Sequence, residues 1–137
     1  MLFRLSVLVA ALVATPLATA EPGSTGAAGS LPPTIAIIID DMGHNLEEGE
    51  RLARIEQPLP LAFLPDRRHT VSLAKLAHRQ QKEIMLHAPM ANTRHFALGP
   101  GGLTSDMDEN SITLTLRRAL QSIPYVQGVN NHMGSLL

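Results

Sequence analysis

The sequence predicts an α/β chain built on a mostly parallel sheet. Three observations predict it: apolar runs of strand length recur after residue 33, a segment of helical periodicity separates each run from the next, and the resulting units are ~30 residues long, the size of a right-handed βαβ crossover. The run TIAIII (residues 34–39) is continuously apolar, as expected of a strand buried on both faces of a parallel sheet. Asn45 is suited to cap a helix from Leu46 to about Glu56, with Glu47 and Glu48 in the first turn, where the helix dipole favours negative charge. LAFL (61–64) is the second strand, closed by Pro65, and a helix over 70–81 follows, burying Leu73, Leu76 and Ala77. EIMLH (83–87) is the third strand.

A stretch without periodicity then runs to about Met107 and contains Gly99-Pro100-Gly101-Gly102. At ~20 residues it exceeds the ~12–15 beyond which an unstructured connection is usually functional or disordered. The third helix is capped by Asp108, and Ile112, Leu116, Ala119, Leu120 and Ile123 share one face of it. YVQGV (125–129) is the fourth strand. No internal repeat or coiled-coil heptad is present.

Upstream of the sheet, residues 1–20 read as a secretory signal peptide: one early cation, Arg4, an apolar core, a Pro16 break, and Ala18 and Ala20 before Glu21. The apolar core falls short of the ~20 residues of a permanent membrane span. Residues 21–33, EPGSTGAAGSLPP, read as a flexible tether, so the folded part is expected over 34–137. A secreted, periplasmic or cell-envelope location follows, with a membrane-attached form only if the leader stays uncleaved. The 137 residues carry 11 Lys+Arg against 12 Asp+Glu with no basic cluster, which argues against a nucleic-acid partner. The absence of cysteine excludes a disulfide framework, a thiolate metal site and a cysteine nucleophile.

Overlaying polar residues on the predicted elements gathers the chemistry. Asp40 and Asp41 follow the first strand, Asp66 the second, His87 closes the third, and Asn130, Asn131 and His132 follow the fourth. In a parallel sheet all of these lie at the carboxyl edge, where α/β folds place their sites. Taken singly, the Asp pair reads as a turn former, His87 as a structural histidine, and Asn130-Asn131 as a loop tolerating left-handed backbone. His69, His78 and His95 read as surface residues, and His44 lies just beyond the Asp pair. Together, two imidazoles and one carboxylate make a three-ligand site with an open position, the arrangement of a catalytic zinc or another first-row divalent ion. A second carboxylate beside such an ion can take a proton from water. Because successive residues of extended chain point to opposite sides, Asp40 and Asp41 are expected to divide those two roles across the strand.

IIIDDMG (37–43), KEIMLHAPM (82–90), GPGGLT (99–104) and GVNNHMGS (128–135) together resemble the divergent polysaccharide deacetylase family, the YibQ-like exported proteins. The resemblance spans 34–137 and implies the N-terminal, parallel-stranded part of a distorted seven-stranded α/β barrel. It implies that Asp40 is the catalytic base, that Asp41 is the metal-binding aspartate, and that His87 is the first histidine of a metal pair. The second histidine of that pair is absent, since Ala91 stands four residues on; His132 is its expected replacement, with Asn131 as a supporting or substrate-contacting amide. The implied cofactor is a divalent metal, zinc foremost. The implied reaction is hydrolysis of acetyl groups on an envelope polysaccharide or peptidoglycan-type glycan. A full barrel of this kind needs roughly 200 residues or more, so the chain is expected to stop after the fourth strand, leaving open edges and exposed apolar faces. The alternatives are a non-catalytic glycan-binding or envelope scaffold protein, and an inactive truncated fragment.

Overall fold

The computed structural model describes residues 34–137; the leader (1–20) and the tether (21–33) lie outside the described residues. From Ile35 onward the chain forms one compact unit. Strands β1 (Ile39–Met42), β2 (Leu61–Phe63), β3 (Ile84–Met90) and β4 (Val126–Met133) alternate with helices α1 (Leu46–Ala53), α2 (Thr70–Arg79) and α3 (Glu109–Ser122). The strands pair in chain order as a four-stranded, all-parallel sheet. Successive right-handed crossovers place the helices on one face. Leu61, Phe63, Ile84, Leu86 and Ala88 of the sheet pack there against Ala53, Leu73, Ala77, Ala119 and Ile123 of the helices. No helix among the described residues is long and apolar enough to cross a membrane.

Local chemistry sets the element ends. The Asn45 side chain accepts the Glu48 amide at 3.2 Å, and Asp108 accepts the Ser111 amide at 2.7 Å, so both expected caps form. Gly43, at φ +119°, turns the chain out of β1; a Cβ there would stand 2.3 Å from the Thr70 hydroxyl, which itself donates to the Leu64 carbonyl. The buried Lys82 ammonium donates to the carbonyls of Ile55 and Gln57, tying the connection before β2 to the start of β3.

Several expectations need correction. The run 34–39 is not a strand buried on both faces: β1 starts only at Ile39, and Ile35 and Ile37 are 86% and 57% exposed. The first ladder bond joins Ile39 N–H to the Pro60 carbonyl, and among the described residues β1 pairs with β2 alone, so no strand there pairs with the apolar residues 35–38 upstream. On α2, Leu76 is only half-buried, and on α3 Ile112 is exposed, so burial concentrates on Ala119 and Ile123. The segment after β3 is not structureless. Met90 bridges Leu103 in parallel sense, Leu103 N–H donates to the Pro89 carbonyl at 2.8 Å, and Ala91 N–H donates to the Leu103 carbonyl at 2.9 Å.

Candidate metal centre

Two irregularities of the sheet assemble the site. Between β1 and β2 the register runs Ile39↔Leu61 to Met42↔Phe63, three steps opposite two, with Asp41 in the left-handed region at φ 59°. This bulge returns Met42 to the helix-side core and frees both aspartates to face the other side of the sheet. The expectation that alternation would send Asp40 and Asp41 to opposite sides is thereby corrected: both carboxylates reach the same imidazole, Asp40 Oδ1 at 3.8 Å from His87 Nδ1 and Asp41 Oδ1 at 3.4 Å from His87 Nε2. Between β3 and β4 the register passes from Ile84↔Val126 to Met85↔Gly128, which inserts Gln127 as an extra residue. After that shift Asn130 pairs with His87 and His132 with Pro89, so Asn130 and His132 share the face of His87. Without it they would point toward the helices.

The hydrogen bonds fix the imidazole tautomer. The Asp40 carboxylate can only accept, so the Asn130 amide nitrogen, 2.8 Å away, donates to it. That orientation turns the Asn130 carbonyl oxygen toward His87 Nδ1 at 2.9 Å, and Nδ1 must carry the proton. His87 Nε2 then carries the lone pair. It lies 3.0 Å from His132 Nδ1, which is in turn 3.0 Å from Asp41 Oδ1. His87 is 3% exposed, so its ring is held in place by packing as well as by Asn130.

Asp41, His87 and His132 could therefore hold a metal ion, one atom from each. Donor separations of 3.0, 3.0 and 3.4 Å compare with the ~3.3 Å expected between ligands of a tetrahedral ion at ~2.0–2.1 Å bond lengths. The donor set of two nitrogens and one oxygen also matches that chemistry. Burial, opposed by Asp41, holds the His132 pKa below the ordinary imidazole value; the neighbouring His87 and Arg67 lower it further, while Asp40 raises it. His132 is thus neutral, as a ligand must be, at neutral pH.

Two residues grouped with the site by sequence stand apart from this cluster. Asn131 points to the opposite face of β4, and its amide donates to the Met133 carbonyl at 2.9 Å. Asp66 makes an exposed positive-φ turn after β2 and takes no part in the contacts that tie the cluster together. His78 is not a bare surface residue but stacks on Tyr125 at 3.8 Å. His44 lines a cavity of ≈ 210 Å³ with Asp40, Asp41 and Glu48 on the α1 side of the acids.

Arg67, which no sequence pattern singles out, reaches the site electrostatically. Its Nη2 donates to the Leu98 carbonyl at 3.4 Å, and its Nε is buried without a partner among the described residues. Gly99, at φ +74°, leaves it room: a Cβ there would lie 2.3 Å from Nη2.

Fold and site define the class: a parallel α/β protein with a carboxylate–imidazole cluster suited to a metal ion at its carboxyl edge. Residues 37–137 match the family model of the divergent polysaccharide deacetylases, and the chain belongs to that family. It is 34% identical over 101 residues to the uncharacterized protein YibQ of Escherichia coli K12, covering 74% of this chain and 32% of that one. It is 28% identical over 101 residues to an uncharacterized protein of Haemophilus influenzae, covering 74% of this chain and 36% of that one. The chain thus spans about a third of the length of the curated relatives it matches. The crystal structure of the uncharacterized protein ATU2773 from Agrobacterium tumefaciens C58 shares the fold, with a TM-score of 0.63 at 23% identity over 72% of this chain and 42% of that one.

Proposed function

We propose that this chain carries the metal centre of an exported, zinc-dependent hydrolase that removes acetyl groups from an envelope polysaccharide or peptidoglycan-type glycan. The observation that carries the reading is the triangle of Asp41 Oδ1, His87 Nε2 and His132 Nδ1, with the Asp40 carboxylate beside it and engaged by Asn130. A divalent ion held there supplies Lewis acidity, polarising an acyl carbonyl and making water a stronger acid. Asp40 is the proton acceptor. One of its oxygens is bound to Asn130, the other has no partner among the described residues, and its side chain is 46% exposed, so water can reach it. Asn130 aligns base and ligand together, because one amide bonds both Asp40 and His87. Family membership supports the glycan substrate, and the leader-like residues 1–20 support export.

Titration with Zn²⁺, and with Co²⁺ as a spectroscopic probe, tests the centre. One ion per chain is expected, with tetrahedral cobalt bands, and His87→Ala or His132→Ala should weaken uptake at least ~10–100-fold, as lost ligands do at minimum when lost supporting residues already cost that much. Equal uptake by the wild type and both variants would refute the assignment. Acetate release from acetylated glycan oligomers then reads the reaction itself; zinc uptake without acetate release would favour a glycan-binding protein.

A further inference from the structure

An exposed aromatic ring is held on a rigid loop beside the segment that follows His132. Phe96 is 53% exposed, which alone would be unremarkable for one surface residue. Its backbone, however, is locked by Asn92, itself only 7% exposed. The Asn92 carbonyl oxygen accepts from Arg94 N–H at 3.1 Å and Phe96 N–H at 3.0 Å, while its amide donates to the Phe96 carbonyl at 3.2 Å and to Met133 Sδ at 3.3 Å. The same loop is fastened just past β4, where Thr93 N–H donates to the Ser135 hydroxyl at 3.0 Å. A buried amide thus fixes the backbone that carries an exposed apolar ring, so little backbone entropy remains to be lost when something stacks on it.

The surroundings define what fits. A cavity of ≈ 240 Å³ opens against the ring, smaller than the ~300–1,000 Å³ of sites for drug-sized ligands and so sized for a single ring. Phe96 and Met133 line it with apolar surface, and Thr93 and Ser135 line it with hydroxyls that are bonded to each other at 3.3 Å. The Arg94 guanidinium lies over one face of the Phe96 ring, 4.5 Å from its centre, and binds no acceptor among the described residues. With one face under the guanidinium, the ring offers its other face to the C–H face of a pyranose, and the guanidinium and the Thr93–Ser135 hydroxyl pair are polar neighbours for the hydroxyls around the sugar's equator. Of the other described aromatics, Phe63 is buried in the core and Tyr125 is stacked on His78 at the start of β4, the far end of the sheet.

We propose that Phe96, with Arg94, Thr93 and Ser135, forms a saccharide subsite that seats a pyranose ring next to the one being deacetylated. The subsite rests on the glycan-hydrolase reading for its substrate class and specifies where along the protein the chain of sugars runs. The test titrates a chitin-type tetrasaccharide of N-acetylglucosamine into the full chain, followed by amide chemical shifts. Shifts are expected at residues 92–96 and 133–135. Phe96→Ala should weaken affinity about tenfold, the size of a lost ring contact, whereas Phe96→Tyr, which keeps the ring, should retain wild-type affinity. Wild-type affinity in Phe96→Ala, or no binding by the wild-type chain, overturns the subsite. Zinc uptake by the wild type is read in the same samples: uptake without saccharide binding sinks the subsite and leaves the metal centre, and Phe96-dependent binding without uptake does the reverse.

Discussion

Asn130 is the residue on which the geometry of the centre turns, because one side-chain amide satisfies Asp40 and His87 at once. Removing it with Asn130→Ala leaves the Nδ1 proton of a buried imidazole without its acceptor, a loss of about 1–3 kcal/mol when no water replaces it. It also frees the ring to exchange tautomers, so Nε2 is no longer held as the lone pair facing Asp41 and His132. Zinc affinity, measured by competition with a chelator, is expected to fall ~10–100-fold while the fold persists. Nitrogen spectra of the histidines supply a readout that a purely structural role would not move: the wild type should show His87 as the Nδ1-protonated form, and Asn130→Ala a mixture. An unmixed tautomer with unchanged zinc affinity would show that packing alone orients the ring.

At the scale of elements, the chain's pattern announces the β-α alternation and the parallel sheet, but it places three of the four strands early, β2 excepted. Apolar residues mark where a strand is buried, whereas β1, β3 and β4 run on through Asp40-Asp41, His87 and Asn130-Asn131-His132. These polar residues can stay in the ladder because the cluster's side chains satisfy one another, while Asn131, on the other face, bonds the Met133 carbonyl. The acids and imidazoles were legible at one edge of the sheet; the bulges that aim them were not, since Asp41 and Gln127 carry no glycine-like signal. For the same reason Asn131 could not be told from Asn130 without the register. Helix caps, being local, were legible, and they make a prediction.

Asn45 cannot titrate, whereas hydrogen bonds from the Ser111 side chain and backbone hold the Asp108 carboxyl below its ordinary pKa. A carboxyl lowered on folding stabilises the native state above its unfolded pKa, and that contribution is lost as pH falls through the lower native value. Amide exchange protection in the first turn of α3 should therefore decline as pH falls through the native Asp108 value, and Asp108→Asn, which keeps a cap that cannot titrate, should abolish that decline. The same decline in Asp108→Asn would mean that the cap does not control that helix end. Asn45→Ala should cost about 1 kcal/mol at any pH, seen as a lower melting temperature.

At the scale of the whole molecule, the sheet has two edges that no other strand covers among the described residues, β1 and β4. Apolar side chains collect at both: Ile35, Ile37 and Ile38 before β1, and Val129 on β4 with Tyr125 just before it. The bulge and the acid pair blunt β1 itself, but the isoleucines before it carry no charge, and a formal net charge of −1 offers little repulsion between copies. Because the sheet is all parallel, a second copy continues it by laying its β1 edge on the first copy's β4 edge, a heterologous contact that does not close on itself. Sedimentation of the chain should show association growing with concentration well beyond a dimer. Ile37→Lys and Val129→Lys should each stop it, as each removes one half of the contact. An equimolar mixture of the two variants retains one intact edge of each kind and should yield dimers only. Edge pairing of like with like gives a different pattern: one variant would have no effect and the mixture would not form a defined dimer.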